Sequence, residues 1–80
     1  MAYVYLIKSL RSNWVYVGST NDVETRFHQY NLGQVTSTKG RLPYRLIHVE
    51  EYKTIKEARV REKEIKQNRI LKESLVRKFK

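Results

Sequence analysis

Two short runs constrain this chain most: Tyr3-Val4-Tyr5-Leu6-Ile7 and Trp14-Val15-Tyr16-Val17. Both are β-branched and aromatic, which suits a pleated, half-buried strand. Only a polar turn, Ser9 to Asn13, separates them. An antiparallel hairpin is expected. With Tyr5 opposite Tyr16, Lys8 faces Asn13 and the loop is Ser9 to Ser12, a common hairpin length. That register sets the two tyrosines side by side on one face. The chain has 80 residues, room for one core, so a single domain over 1–80 is expected.

The rest of the chain supplies what covers the hairpin. Gly18 is expected to end the second strand. Asn21 and Asp22 are both good N-caps, and Asn21 with Glu24 has capping-box spacing. Val23, Phe27 and Tyr30 follow at i, i+4, i+7, one face of a helix that Asn31-Leu32-Gly33 closes. A polar loop to Leu42 and Pro43 leads into a third strand, Tyr44 to Tyr52. Thr54 and Glu57 form a second capping box. Ile55, Ala58, Glu62 and Ile65 then make one helical stripe, which breaks around Gln67 to Arg69. Leu71, Leu75 and Phe79 begin another. The order is β-β-α-β-α-α, an α+β fold with a three-stranded antiparallel sheet flanked by helices.

Composition narrows the function. Lysine and arginine number 17 against 8 acidic residues, a net charge of +9. On so small a body this favours polyanionic partners, nucleic acid first. The absence of cysteine removes disulfide scaffolds, thiol nucleophiles and cysteine-ligated metals. No run approaches the ~18 apolar residues of a membrane span. Met1 to Ile7 shows no basic leader or small-residue cleavage site, so a cytoplasmic protein is expected.

Several residues are candidates for chemistry. Glu62 lies in an otherwise apolar stripe, where a carboxylate is costly unless it is paired or binds a metal. Mg²⁺ takes one or two carboxylates and keeps several waters, so a lone glutamate can hold it when substrate phosphate completes the shell. An ion pair at the stripe's edge is the structural alternative. Tyr5 and Tyr16 either stabilise the hairpin or turn their hydroxyls into a polar site. Arg26, beside the apolar face of its helix, is either a snorkelling surface residue or a phosphate clamp. Lys39 and Arg41 sit in a glycine-containing loop that could grip a nucleic-acid backbone. His28 and His48 have no clear partner in sequence and read as surface or strand-edge residues.

Taken in order, these pieces resemble the GIY-YIG nuclease superfamily. Val4-Tyr5 stands at its first Ile-Tyr, and Tyr16-Val17-Gly18 at its Tyr-Ile-Gly. The run from Gly18 to Arg26 resembles its approach to the helical arginine. Asn31-Leu32-Gly33 resembles its Asn-small-Gly helix end, and Glu57-Ala58 through Glu62-Lys63 its Glu-Ala-x-x-x-Glu-Lys helix. The resemblance covers residue 3 to about 72 and is closest to small stand-alone domains similar to the nuclease part of excision-repair proteins and homing endonucleases. It implies an endonuclease acting on DNA, with RNA not excluded. One Mg²⁺ or Mn²⁺ would be held by Glu62. Tyr5 and Tyr16 would activate water and contact the scissile phosphate, and Arg26 would stabilise the phosphorane. Tyr30 stands where many members carry histidine. A DNA-repair role and a monomer are the accompanying expectations.

The sequence departs from the family in two places. Ala2-Tyr3-Val4 replaces the start of the first motif. The asparagine that usually follows the metal glutamate has only Asn68 to fill it, six residues after Glu62 and a candidate for nucleic-acid contact. The alternative function is a nucleic-acid-binding module of the same fold with weak or no cleavage. An adaptor that docks through the Leu71, Leu75, Phe79 stripe is a third reading.

Overall fold

The structure is a computed structural model that describes residues 1–35 and 40–79, without the side chain of Phe79. Its elements are β1 (Ala2–Ser9), β2 (Val15–Thr20), α1 (Val23–Asn31), β3 (Tyr44–Tyr52), α2 (Ile55–Gln67) and α3 (Arg69–Phe79). The strands form one antiparallel sheet in the order β2-β1-β3, with β1 in the centre. This is the α+β layout expected from the sequence.

The hairpin differs from its expected register. Tyr5 lies opposite Gly18 and Ile7 opposite Tyr16, a shift of two residues. Because side chains alternate with a period of two, the shift leaves Tyr5 and Tyr16 on the same face. Its cause is the longer loop that Ser9 organises. The buried Ser9 Oγ donates to the Arg41 carbonyl at 2.7 Å and accepts from the Arg11 and Ser12 amides at 3.1 and 3.2 Å. The Ser9 amide then closes the loop on the Trp14 carbonyl at 2.9 Å. A second difference is that Gly18 sits inside β2, which continues to Thr20.

The helices start and stop for local reasons. Asp22, not Asn21, caps α1: its Oδ1 accepts the Thr25 amide at 3.1 Å and its Oδ2 accepts the Thr25 hydroxyl at 2.7 Å. Gly33 at φ 74° turns the chain after α1, in the left-handed region that glycine adopts freely. Thr54 caps α2 by accepting the Glu57 amide at 3.2 Å. Asn68 leaves helical geometry between α2 and α3, and its Oδ1 accepts the Leu71 amide at 3.0 Å. Asn31 holds β3 in place: its Oδ1 accepts the Tyr44 amide at 2.7 Å and its Nδ2 donates to the Tyr44 carbonyl at 3.2 Å.

Alternation along β1 divides the core in two. Ala2, Val4 and Leu6 face one way and join Val17, Ile47, Ala58, Ile65 and Leu75 in an aliphatic cluster under α2 and α3. Tyr5 and Ile7 face the other way and join Tyr30 and Tyr44 in an aromatic cluster under α1. The stripe of α3 is used here, since Leu75 is buried and Leu71 packs against the aliphatic cluster. Phe79, the last member of that stripe, contributes no described side chain.

Candidate active site

The free edge of β2 is where the two sides of the sheet meet. Alternation sends Tyr16 and Gly18 toward α1, and Val17 and Ser19 toward α2. The glycine is required by a close approach. A Cβ on Gly18 would stand 2.5 Å from Tyr5 Cζ, so the Tyr5 ring lies directly across the strand. From there the Tyr5 hydroxyl reaches that of Tyr30, 2.9 Å away. The Tyr30 ring packs 5.4 Å from that of Tyr16 and 6.1 Å from that of Tyr44, centroid to centroid.

Arg26 covers this aromatic group from α1. Its Cζ stands 5.1 Å from the Tyr30 ring centre, and its Nη1 donates to Gln29 Oε1 at 3.2 Å. Burial works against the guanidinium charge, but hydrogen bonding to Tyr5 and the nearness of Tyr30 outweigh it and raise the pKa. Burial, and then the bond to Tyr5, push the Tyr30 phenol far above its ordinary range. Tyr30 therefore stays protonated and acts as a neutral hydrogen-bonding group. Tyr5 is 2% exposed and Tyr30 1%, whereas Tyr16 is half-buried and open toward the edge.

Glu62 reaches the same edge from α2. Its carboxylate is at the rim of the apolar stripe, between the buried Ala58 and Ile65. Ser19 Oγ donates to Oε1 at 2.5 Å, and Lys66 Nζ donates to Oε2 at 2.6 Å. Burial lowers the Lys66 pKa, but the hydrogen bond to Glu62 and its charge raise it overall. The same Nζ stands 5.7 Å from the Tyr16 ring centre, so Lys66 bridges the carboxylate and the tyrosine group around the strand edge.

The structure thus gathers Tyr5, Tyr16, Tyr30 and Arg26 on one face and joins Glu62 to them through Lys66. It does not bring in the other expected contacts. Arg41 stacks on Trp14 at the far end of the hairpin, 4.2 Å from the indole centre. Asn68 caps α3 with its side-chain oxygen. Lys39 lies outside the described residues. Ser19 and Lys66 were not singled out in the sequence. Lys66 had a signal, the i,i+4 spacing from Glu62. Ser19 had none once Gly18 was read as the end of its strand.

A divalent ion is compatible with this donor set. The carboxylate and the Ser19 hydroxyl are hard oxygen donors, the kind Mg²⁺ or Mn²⁺ prefers. Among the described residues no group of three or more His, Cys, Asp or Glu gathers, so Glu62 would be the lone carboxylate and Lys66 would release its oxygen.

A family model described as the GIY-YIG catalytic domain matches residues 1–72. The chain belongs to the GIY-YIG family. It is 40% identical to a UPF0213 protein of Haloquadratum walsbyi over 65 residues, 80% of this chain and 72% of that one. A UPF0213 protein of Halobacterium salinarum is 39% identical over 77 residues, 94% of this chain and 99% of that one. Its counterpart in Natronomonas pharaonis is 38% identical over 76 residues, 92% and 88% respectively. No solved structure matches the chain. Membership makes this a nuclease-type domain whose implied substrate is nucleic acid. Among the described residues no helix is long and apolar enough to cross a membrane.

Proposed function

We propose that this GIY-YIG domain, a single unit over residues 1–80, is an endonuclease that hydrolyses phosphodiester bonds in DNA with one Mg²⁺ or Mn²⁺ at Glu62. The observation that supports this is the convergence on one strand edge of a carboxylate, a cluster of phenols and a guanidinium. Those are the groups a phosphodiester site needs for charge neutralisation and water positioning. A bound ion would supply electrostatic stabilisation of the leaving 3′ oxygen. Tyr16 is the phenol open to the edge, so it orients and activates the attacking water, with the Lys66 cation close to its ring. Tyr5 and Tyr30, tied by their hydroxyls, hold that ring and the guanidinium of Arg26 in place. Arg26 pairs with phosphate oxygens as negative charge develops on them.

Incubation with supercoiled plasmid and with RNA, with Mg²⁺, Mn²⁺ or chelator, tests this beside Glu62→Ala. The expected result is nicked circles that require metal, and a loss of about 100-fold or more in the variant with binding retained. Cutting by Glu62→Ala at the parental rate would overturn the assignment. One observation favours a second reading, a binding module without efficient cleavage: both carboxylate oxygens of Glu62 already have protein partners. That reading predicts intact nucleic acid under every condition together with a salt-sensitive mobility shift.

A further inference from the structure

A basic groove lies away from the tyrosine group. It has a volume of about 530 Å³ and runs between α3 and the loop end of the hairpin. Lys8, Arg69, Lys72 and Arg77 line it, with Glu73 as its carboxylate. Among the described residues Lys8, Lys72 and Arg77 have no ion-pair partner. Arg69 pairs with Glu73 at 3.3 Å, but its side chain is 91% exposed, and such a pair contributes little. Trp14 forms the wall opposite α3. Arg41 covers one face of its indole, yet the residue stays 43% exposed. A large aromatic left open beside several free cations lacks a packing explanation.

The groove lies further along the same β2 edge that carries the site. Ser19 touches Glu62 and Tyr16 touches Lys66, so β2 and α2 run antiparallel, and following them backwards along β2 leads to Trp14 and forwards along the helices to Arg69. The distance from Ser19 to Trp14 is about 17 Å at ~3.3 Å per strand residue. That corresponds to about five nucleotide steps at the ~3.4 Å spacing of a B-form strand.

We infer that this groove is a track for one nucleic-acid strand running to the site, with a base stacked on Trp14 and phosphates held by Lys72, Arg77, Lys8 and Arg69. The chemistry is that of single-strand binding: aromatic stacking, which every base permits, plus cations along the backbone. The inference rests on the reading of the domain as one that acts on nucleic acid, but it does not require cleavage.

Trp14 is the only tryptophan, so its emission reports the groove directly. The full chain is titrated with a fluorescein-labelled oligothymidylate in chelator, where no metal-dependent cutting intervenes. Emission and anisotropy are followed at several salt concentrations. The expected result is saturable quenching of Trp14 that tracks the anisotropy. Trp14→Ala should weaken binding about 5- to 150-fold, and Trp14→Phe less, because it keeps a stacking ring. The paired variant Lys72→Ala/Arg77→Ala should flatten the salt dependence by about 1.4 in logarithmic slope, two contacts at ~0.7 each. Binding by anisotropy with unchanged Trp14 emission and an unchanged slope in the paired variant would overturn the track, as would no binding at all. Either can occur while the parent still nicks plasmid through Glu62. Conversely, quenching without nicking would remove the nuclease reading and leave the track standing.

Discussion

The two sides of β1 do different work with the same backbone. On the α2/α3 side, Ala2, Val4 and Leu6 bury aliphatic surface with no polar atom to satisfy. On the α1 side, Tyr5 sits among Tyr30, Tyr44 and Tyr16, and its hydroxyl is bonded to that of Tyr30. The first side is a packing surface, whose energy comes from area and shape. The second buries polar groups that must be satisfied and aimed, and it keeps Arg26 and Tyr16 near the solvent edge. Along β1, aliphatic packing and the phenol cluster are therefore separated by one residue, and Glu62 joins the site only at the β2 edge of the aliphatic side. A substitution on either side should reveal which one it serves.

The largest effect should come from the aliphatic side. Leu6 is 0% exposed in the central strand, and Leu6→Ala leaves a cavity costing about 2–5 kcal/mol. In a domain this small that lowers the melting temperature by roughly 4–8 °C for each kcal/mol. The comparison predicts that the surviving folded protein keeps its activity per molecule. Thermal melts followed by circular dichroism, with nicking assayed well below the midpoint, check this. Activity lost in proportion to nothing but the residue's presence, with an unchanged melt, would break the division.

The converse experiment is Gly18→Ala. The new methyl would have to occupy the space of the Tyr5 ring, so either β2 or the ring shifts. Overpacking of this kind costs about 1–3 kcal/mol. Because the displaced ring carries the hydroxyl bonded to Tyr30, the expected loss of activity exceeds what the melt accounts for. Tyr5→Phe in the same background tests the cause, since its smaller ring end relieves part of the clash and should recover part of the stability. No recovery would place the strain in the backbone of β2 instead.

Much of this was legible in the sequence because the signals were local. Capping boxes, helix periodicity and strand composition each depend on neighbours within a few residues. Thr54 with Glu57 and the whole of β3 appear as expected for that reason. The hairpin register was not local. It is set by Ser9 Oγ, whose partners include the Arg41 carbonyl 32 residues away. The strand-interior role of Gly18 likewise depends on Tyr5 lying across it, which no spacing announces. Glu62 could be suspected from its apolar stripe, but its contact with Ser19 needed the strand to continue past the glycine. Trp14 read simply as the start of a strand, and its groove arises only when α3 folds back beside the hairpin.

The smallest effect concerns the other flank of α2, where a second carboxylate makes an instructive contrast with Glu62. Glu50 on β3 accepts from Arg61 Nε at 2.8 Å, from Tyr52 Oη at 2.7 Å, and lies 2.9 Å from His48 Nε2; Arg61 also pairs with Glu64. Burial alone would raise the Glu50 pKa, but these partners, Arg61 foremost, hold it down at about 2, below the ordinary 4.5. A folded-state value below the unfolded one stabilises the protein above pH ~4.5, and that contribution is lost as pH falls toward 2. Solvent screening at this partly exposed site reduces the effect to about 1 kcal/mol. Glu50→Gln should therefore lower the urea midpoint at pH 7 and flatten its decline between pH 4.5 and 2 relative to the parent. Nicking at neutral pH should be unchanged, because this carboxylate sits on β3, at the opposite edge of the sheet from β2, whereas Glu62 reaches the β2 edge. Denaturation curves that run parallel in the two proteins across that pH range would show that the Glu50 network does not stabilise the fold, and a loss of nicking would show that the two flanks of α2 are coupled.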